Sequence, residues 1–328
     1  MILAGDVGGT KTILAAFEPD RRDPVLEETY ASRDHASLDQ ILESFLDRHR
    51  PWVEQACLGI AGPVRNGRSH ATNLPWVVNA DALARRLGTR ETYLINDLEA
   101  SAWGIPALGP EDLVTLNAGS PEASGNAAII AAGTGCGEAG LFWDGRAHRP
   151  FATEGGHTDF APRDELEMAL LRYLLARHER VSYERLVSGP GLVTLYEFLR
   201  DSGHGQEPPG LSEALRRGDG GRAISEAARQ GQSPLCEKAL DLFMSIYGAE
   251  AGNLALKHLS SAGLYVGGGI APKNLWKIRD GTFMKAFTAK GRMRPILEAM
   301  PVKVILNQRT ALFGAARCAA RRSQAFTP

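Results

Sequence analysis

Three glycine runs in this chain stand beside groups able to handle phosphate. Gly8-Gly9 follows Asp6 and precedes Thr10, Lys11 and Thr12. Gly133-Thr134-Gly135-Cys136-Gly137 comes about 125 positions later, and Gly267-Gly268-Gly269 forms the third run. The first two runs sit between apolar stretches that read as strands, so each is a strand, a glycine turn and a returning strand. In such turns backbone N–H groups form anion-binding nests, and glycine permits the positive φ and the close approach that they need. Thr10, Thr12 and Thr134 add hydroxyl donors, and Lys11 adds a cation for phosphate oxygens. Asp6 ends an apolar run and is placed to hold Mg²⁺ through water, since that ion keeps much of its hydration shell. One glycine hairpin alone is an ordinary tight turn; two in matched settings and a further triplet favour phosphate.

Two better-known phosphate motifs do not fit. A P-loop needs glycine directly before its lysine and a helix after it, whereas Thr10 precedes Lys11 and Ile13–Phe17 reads as strand. Gly135-Cys136-Gly137-Glu138-Ala139-Gly140 matches the dinucleotide pattern literally. That fingerprint requires a helix immediately after it, and Leu141-Phe142-Trp143-Asp144-Gly145 turns too soon.

The elements that must carry these turns follow from periodicity. Strands are expected at Ile2–Val7, Ile13–Phe17, Ala56–Ile60, Thr92–Ile95, Ala127–Ala132, Leu141–Trp143, Gly263–Val266 and Val302–Leu306. Leu38–His49 carries a helical apolar stripe, and Asp81–Leu87 is a short helix that Asn79 or Asp81 can cap. Further helices are expected at Glu165–His178, Glu237–Leu259 and Thr310–Arg322, the last with Arg317, Arg321 and Arg322 as a solvated, dipole-matched end. Ser202–Gly221 reads as loop with a helical insert at Leu211–Arg216.

Composition excludes whole classes. The 328 residues carry a net charge of −1, with 44% apolar and 23% charged residues, which rules out an acidic disordered chain and a basic nucleic-acid coat. No apolar run approaches the ~20 residues of a membrane span, and Met1–Asp6 does not read as a signal peptide. The scattered Cys57, Cys136, Cys236 and Cys318 form no zinc or disulfide spacing, so a reducing cytosol is expected. The 36 glycines make up about 11% of the chain against a usual ~7%, an excess that the runs above help to explain.

An ordered set of motifs then carries a resemblance. It comprises Gly5-Asp6-Val7-Gly8-Gly9-Thr10, Asn96-Asp97-Leu98-Glu99-Ala100, Ala132-Gly133-Thr134-Gly135, Glu154-Gly155-Gly156-His157-Thr158-Asp159-Phe160-Ala161-Pro162, Ser188-Gly189-Pro190-Gly191-Leu192 and Gly267-Gly268-Gly269-Ile270. Together, across residues 2–320, they resemble the bacterial glucokinase family, of the non-ROK type (ROK: repressors, open reading frames and kinases). The resemblance implies an α/β, two-lobed, actin-like ATPase (ribonuclease H-like) sugar kinase fold with a deep interlobe cleft. The expected division is a small lobe of residues 1–107 plus 307–322 and a large lobe of 108–306.

It also implies ATP and Mg²⁺ as cofactors, glucose as substrate, transfer to the 6-hydroxyl, and a homodimer with neither nucleic-acid nor membrane partners. By resemblance Asp97 is the catalytic base, and Asn96, Glu154, His157 and Glu184 bind the sugar, with Gly135 beside them. The runs Gly8-Gly9, Gly133-Gly135 and Gly267–Gly269 become phosphate and adenosine contacts. The residue types suit these roles: phosphoryl transfer needs a carboxylate to orient the attacking hydroxyl, and amides and carboxylates suit paired hexose hydroxyls. Each residue also has a plainer reading. Asp97 caps a helix, His157 is structural, Glu184 lies on a helix surface, and Asn73 and Trp76 form a turn rather than a sugar entrance. ROK kinases place a zinc-binding cysteine cluster after a similar histidine, and nothing comparable follows His157, so zinc is not expected. Lys11 stands where these glucokinases commonly carry asparagine. A kinase for another hexose and a non-catalytic sugar-binding regulator are the competing readings.

Overall fold

The computed structural model describes residues 1–19, 21–89 and 91–324. They form two compact units, the first made of Met1–Asp112, Arg149–Ala152 and the chain from Asn307 onward, the second of Leu113–His148 and Thr153–Leu306.

The first unit is built on strands β1 (Ile2–Val7), β2 (Lys11–Phe17), β3 (Leu26–Ala31), β4 (Gln55–Ile60) and β8 (Glu91–Asn96), in the order β3-β2-β1-β4-β8. A small three-stranded sheet of β5 (Val64–Arg65), β6 (Arg68–His70) and β7 (Val77–Asn79) accompanies it. β1 and β4 read as near-continuous apolar runs because helices cover both faces of the sheet. On one side the Leu38–His49 helix buries Leu38, Ile41, Leu42 and Phe45, the stripe expected from its spacing. On the other, the Thr310–Gln324 helix buries Leu312, Phe313 and Cys318 with Ile2, Ala4 and Ile95.

β1, β4 and β8 are mutually parallel, so their carboxyl ends share one edge. Asp6 lies level with Gly59 and Ile95, and Val7 with Ile60 and Asn96. At strand spacing, Asp6 and the Asn96-Asp97 corner stand about 10 Å apart along that edge. The Asp97–Gly104 helix starts at the corner and crosses the Thr310–Gln324 helix at two glycines. A Cβ on Gly314 would lie 1.7 Å from the Ala100 carbonyl oxygen, and one on Gly104 1.9 Å from that of Thr310.

The second unit contains β9 (Leu113–Asn117), β10 (Ala127–Ala132), β11 (Cys136–Trp143), β13 (Gly263–Gly267) and β14 (Val302–Ile305), ordered β11-β10-β13-β14-β9. The intervening β12 (His148–Ala152) runs into the residues grouped with the first unit. The Pro234–His258 helix is buried along most of its length and anchors this core with Tyr196, Phe243, Tyr247, Phe283 and Phe287. It starts three residues before the expected Glu237, because Ser233 caps it and Pro234 occupies the first turn, where a missing N–H costs nothing. The helix expected to reach His178 ends at Leu175, and a helix at Gly220–Arg229 begins inside the stretch expected as loop. Parallel β10 and β13 end side by side, which brings Gly133–Gly135 next to Gly267–Gly269.

The Gly104–Gly314 crossing generates a first prediction. Gly314→Val should destabilise the protein by about 3 kcal/mol, since overpacking against backbone cannot relax by a rotamer change. Denaturant titration reads the loss, and unchanged stability would show that the two helices slide apart freely.

Candidate active site

In the first unit, the β1–β2 hairpin brings Asp6, Gly8, Gly9, Thr10 and Lys11 to the edge where β1 ends. The Gly8 N–H donates to the Lys11 carbonyl at 3.0 Å, closing the turn. Gly9 packs under Asn73, whose Cβ lies 2.7 Å from where a Gly9 side chain would begin. Thr10 and the Lys11 side chain are exposed on the turn. Burial raises the Asp6 carboxyl to about 6, with the Lys11 charge pulling in the opposite direction.

Thr12 departs from its expected role. Its hydroxyl is fully buried and lies 2.9 Å from that of Ser32, which in turn donates to the Gly8 carbonyl at 2.7 Å. Thr12 therefore holds the turn from beneath, and the expectation that it donates to phosphate is corrected: a side chain facing the core side of a strand cannot reach a ligand at the turn. Trp76 is likewise buried, its indole N–H donating to the His35 carbonyl at 3.3 Å, so it lines no entrance. Arg317 is partly buried, with its Nε unpartnered, rather than solvated.

The plainer reading of Asp97 as a helix cap is also revised, because the cap is Asn96. Its side-chain oxygen accepts from the Leu98 and Glu99 N–H groups at 2.9 and 3.3 Å, while its amide nitrogen donates to the Gly62 carbonyl at 3.3 Å. Asp97 is the first residue of the helix, and the Leu98 N–H donates to its Oδ1 at 3.0 Å. The helix dipole favours an anion at this place. Gly59 on β4 makes room for the corner: a Cβ there would lie 2.8 Å from that of Ala100 and 3.7 Å from the Asp97 Cα.

The second unit gathers Gly133, Thr134, Gly135, Glu154, His157 and Glu184. The Glu184 carboxylate accepts from the Cys136 N–H at 3.0 Å and lies 2.4 Å from where a Gly135 side chain would begin. His157 stands between two carboxylates, with Nδ1 3.7 Å from Glu184 Oε1 and Nε2 3.9 Å from Glu154 Oε2. Glu184 is held from behind by Ser188, which donates to its carbonyl at 2.7 Å and caps the Gly189–Asp201 helix. The Gly189 N–H donates to the Gly133 carbonyl at 2.8 Å, tying that helix start to the second glycine turn. Gly268 adopts a φ of +78° and abuts the Ala132 carbonyl, which fixes the third run against the second. An open cavity of about 700 Å³ is lined by Thr134, His157 and Glu184 with Arg177, Arg180 and Arg185, a size that suits a small polar ligand.

Two acidic residues escaped the sequence reading. Glu138 and Glu250 are buried beneath this cluster, at 2% and 0% exposure. Their signal was present, since each is a carboxylate inside an otherwise apolar run, Glu138 within Cys136–Leu141 and Glu250 within Ala249–Gly252. All four cysteines are buried. Among the described residues no helix is long and apolar enough to cross a membrane.

Comparison with known proteins gives concordant results. The profile of the family described as "Glucokinase" matches residues 3–322. A glucokinase of Nostoc sp. strain PCC 7120 is 46% identical, over 98% of this chain and 99% of its own. Among solved structures, a glucokinase from an Antarctic psychrotroph superimposes with a TM-score of 0.82 at 30% identity, covering 98% of each chain. A ROK family glucokinase from Streptomyces griseus, solved with glucose and AMPPNP, gives a TM-score of 0.67 over 98% of this chain and 99% of its own. At 24% identity that last likeness speaks to the fold alone.

Asp6 carries a testable consequence for stability. Its folded-state pKa of about 6 exceeds the ordinary 3.8, so the folded protein binds a proton that the unfolded chain has lost, and stability falls as pH rises between those values. Above that window the buried anion costs about 2 kcal/mol, allowing for its partial exposure. Asp6→Asn should therefore melt several degrees higher than the parent at about pH 8 and no differently below about pH 4. Equal melting curves at both pH values would contradict the burial of this charge.

Proposed function

The chain belongs to the glucokinase family, and from that premise we propose how its residues carry out the ATP-dependent phosphorylation of glucose at the 6-hydroxyl. Asp97 is the base. It orients the 6-hydroxyl and accepts its proton as the O6–Pγ bond forms and the bond from Pγ to the bridging oxygen breaks, leaving ADP. The observation that carries this reading is the Asn96-Asp97 corner. One amide caps the helix and bonds the Gly62 carbonyl, so the adjacent carboxylate is presented rigidly at the carboxyl edge of parallel strands. Ligands in open α/β sheets bind at such edges. An anion at a helix N-terminus is a weak base, which suits a group that must hold a hydroxyl first and take its proton late.

Glu154, His157 and Glu184 bind the sugar hydroxyls in this proposal. Their mutual distances of 3.7 and 3.9 Å are too long for direct hydrogen bonds, which leaves the imidazole and carboxylates with capacity for a polyhydroxylated ligand. Gly9, Thr10 and Lys11 bind phosphate oxygens through backbone N–H groups, a hydroxyl and a cation, on the turn that the Gly8 N–H closes; Gly133, Thr134 and Gly267–Gly269 contact the rest of the nucleotide. When bound, Mg²⁺ would supply positive charge against the transferred group. A single half-shielded carboxylate such as Asp6 fits an ion that takes its other ligands from water and phosphate. Homodimerisation and a cytosolic location belong to the same proposal and rest on family resemblance alone.

Asp97→Asn should keep glucose affinity while kcat falls by about three orders of magnitude or more, the scale of loss when a positioned proton acceptor is removed. Near-normal turnover would sink the assignment. A coupled assay over several hexoses and over ATP, ADP and polyphosphate should give glucose with ATP the highest kcat/KM. A preference for mannose, fructose or an N-acetylhexosamine would reassign the substrate, and no turnover with any donor would point to a sugar-binding regulator.

A further inference from the structure

Glu138 and Glu250 are buried beneath the loop and the turn that carry Glu154, His157 and Glu184. Glu138 projects from β11, three residues after Gly135. Its Oε2 lies 1.9 Å from where a Gly155 side chain would begin, so the carboxyl fills the underside of the loop that bears Glu154 and His157. Its own carbonyl accepts from the Thr153 hydroxyl at 2.9 Å, at the entry to that loop. Glu250 comes from the middle of the Pro234–His258 helix and lies within hydrogen-bonding reach of Glu138 and of the Tyr183 hydroxyl. Asn253 donates to Glu250 Oε2 at 2.8 Å and to the Tyr183 hydroxyl at 3.1 Å. Tyr183 opens the turn Tyr183–Arg185, which carries Glu184. The two buried carboxyls thus brace both supports of the sugar-binding cluster.

Their protonation follows from an account of partners. One oxygen of each carboxyl, Oε1 in both cases, is buried without a hydrogen-bond partner. The groups facing the pair are Cys136 from β11, Tyr183 and Glu184 from the turn, and Tyr247 and Lys257 from the long helix. Beyond Asn253, Lys290 reaches its side-chain oxygen, with Arg163 and Glu167 as further charges around that lysine. Among these, Lys257 is the cation beside the pair, its Nζ 3.5 Å from Glu250 Oε1. Two ionised carboxylates would leave Glu138 Oε1 an orphaned acceptor and set two buried negative charges against the one Lys257 ammonium, whereas one proton turns one carboxyl into a donor for the other and balances Lys257.

We propose that Glu138 holds a proton against Glu250 and that the two act as a positioning pair, holding the Glu154–His157 loop and the Tyr183–Arg185 turn so that glucose binding is lost when that proton leaves. The inference rests on the glucokinase reading above. Burial first, and then the Glu250 charge, push the Glu138 carboxyl up to about 8, so the proton is retained at neutral pH and released on the alkaline side. A second anion in that space repels the first and draws in water beneath Gly155, loosening Glu154 and His157 while the nucleotide turns are unaffected.

Steady-state kinetics of the full chain over a pH series test this, together with Glu138→Gln, Glu250→Gln and Glu138→Leu. For the parent, kcat/KM for glucose should fall about tenfold per pH unit beyond the limb, carried by a rising glucose KM with the ATP KM within about twofold. Either glutamine variant should abolish that limb and keep neutral-pH kcat/KM within about threefold, since an amide replaces the neutral partner in shape and hydrogen bonding. Glu138→Leu should raise the glucose KM about tenfold and spare the ATP KM, a split that general destabilisation would not produce. The proposal is overturned if Glu138→Gln keeps the parental limb, or if Glu138→Leu shifts both KM values together. Should the leucine variant not fold, the glutamine pH profiles decide alone. A parent chain that phosphorylates no glucose sinks the kinase reading instead, and calorimetric titration of glucose over the same pH series then tests the pair by itself.

Discussion

The position of Asp97 depends on backbone meeting backbone at distances that no side chain would tolerate. The Asp97–Gly104 helix lies against β4 at Gly59 and against the closing helix at Gly104 and Gly314. Each contact places a carbonyl or a methyl where a Cβ would stand, so the helix is located by steric exclusion as much as by attraction. A helix set by such contacts has little freedom to rotate, and its first residue is therefore presented at one fixed place. Asn96 completes the arrangement with a single amide that serves the helix start and the Gly62 carbonyl at once.

The second unit uses the same constraint differently. The Gly155 position is closed by the Glu138 carboxyl and that of Gly268 by the Ala132 carbonyl. The glycine excess, which reads from sequence as ligand approach, is thus partly a matter of protein against protein. Loops that bear ligand-binding groups are pressed onto the sheet beneath them, and a missing Cβ allows the contact. Rigidity of this kind holds a histidine between two carboxylates, 3.7 and 3.9 Å away.

Charge follows the same layering. Exposed groups, Lys11 on its turn and Arg177, Arg180 and Arg185 around the cavity, present cations at the surface. Carboxylates lie deeper, Asp6 at the end of β1 and the Glu138–Glu250 pair below the sugar loop. Taking these acids out of water disfavours their charged forms. The cost is a raised pKa at Asp6 and at Glu138, which links the stability of the fold to pH.

Much of this was legible in the chain itself. Apolar periodicity marked the Leu38–His49 helix at both ends, and the order of the motifs marked the family that the profile match over residues 3–322 shows. Local signals suffice where the physics is local: a strand that alternates, a stripe that recurs, a glycine turn that only certain backbones can make. Thr12, Trp76 and the Glu138–Glu250 pair were decided elsewhere. The sequence marks Thr12 as a hydroxyl beside a glycine turn, but which face of β2 it occupies depends on the register with its neighbours, and that register turns it toward Ser32. Glu138 and Glu250 are separated by more than a hundred residues, so their shared burial arises from packing a helix across a sheet. Sequence determined which residues can do chemistry; only the tertiary structure decided which of them lie at the surface and which face one another, because facing is a property of packed surfaces rather than of residue types.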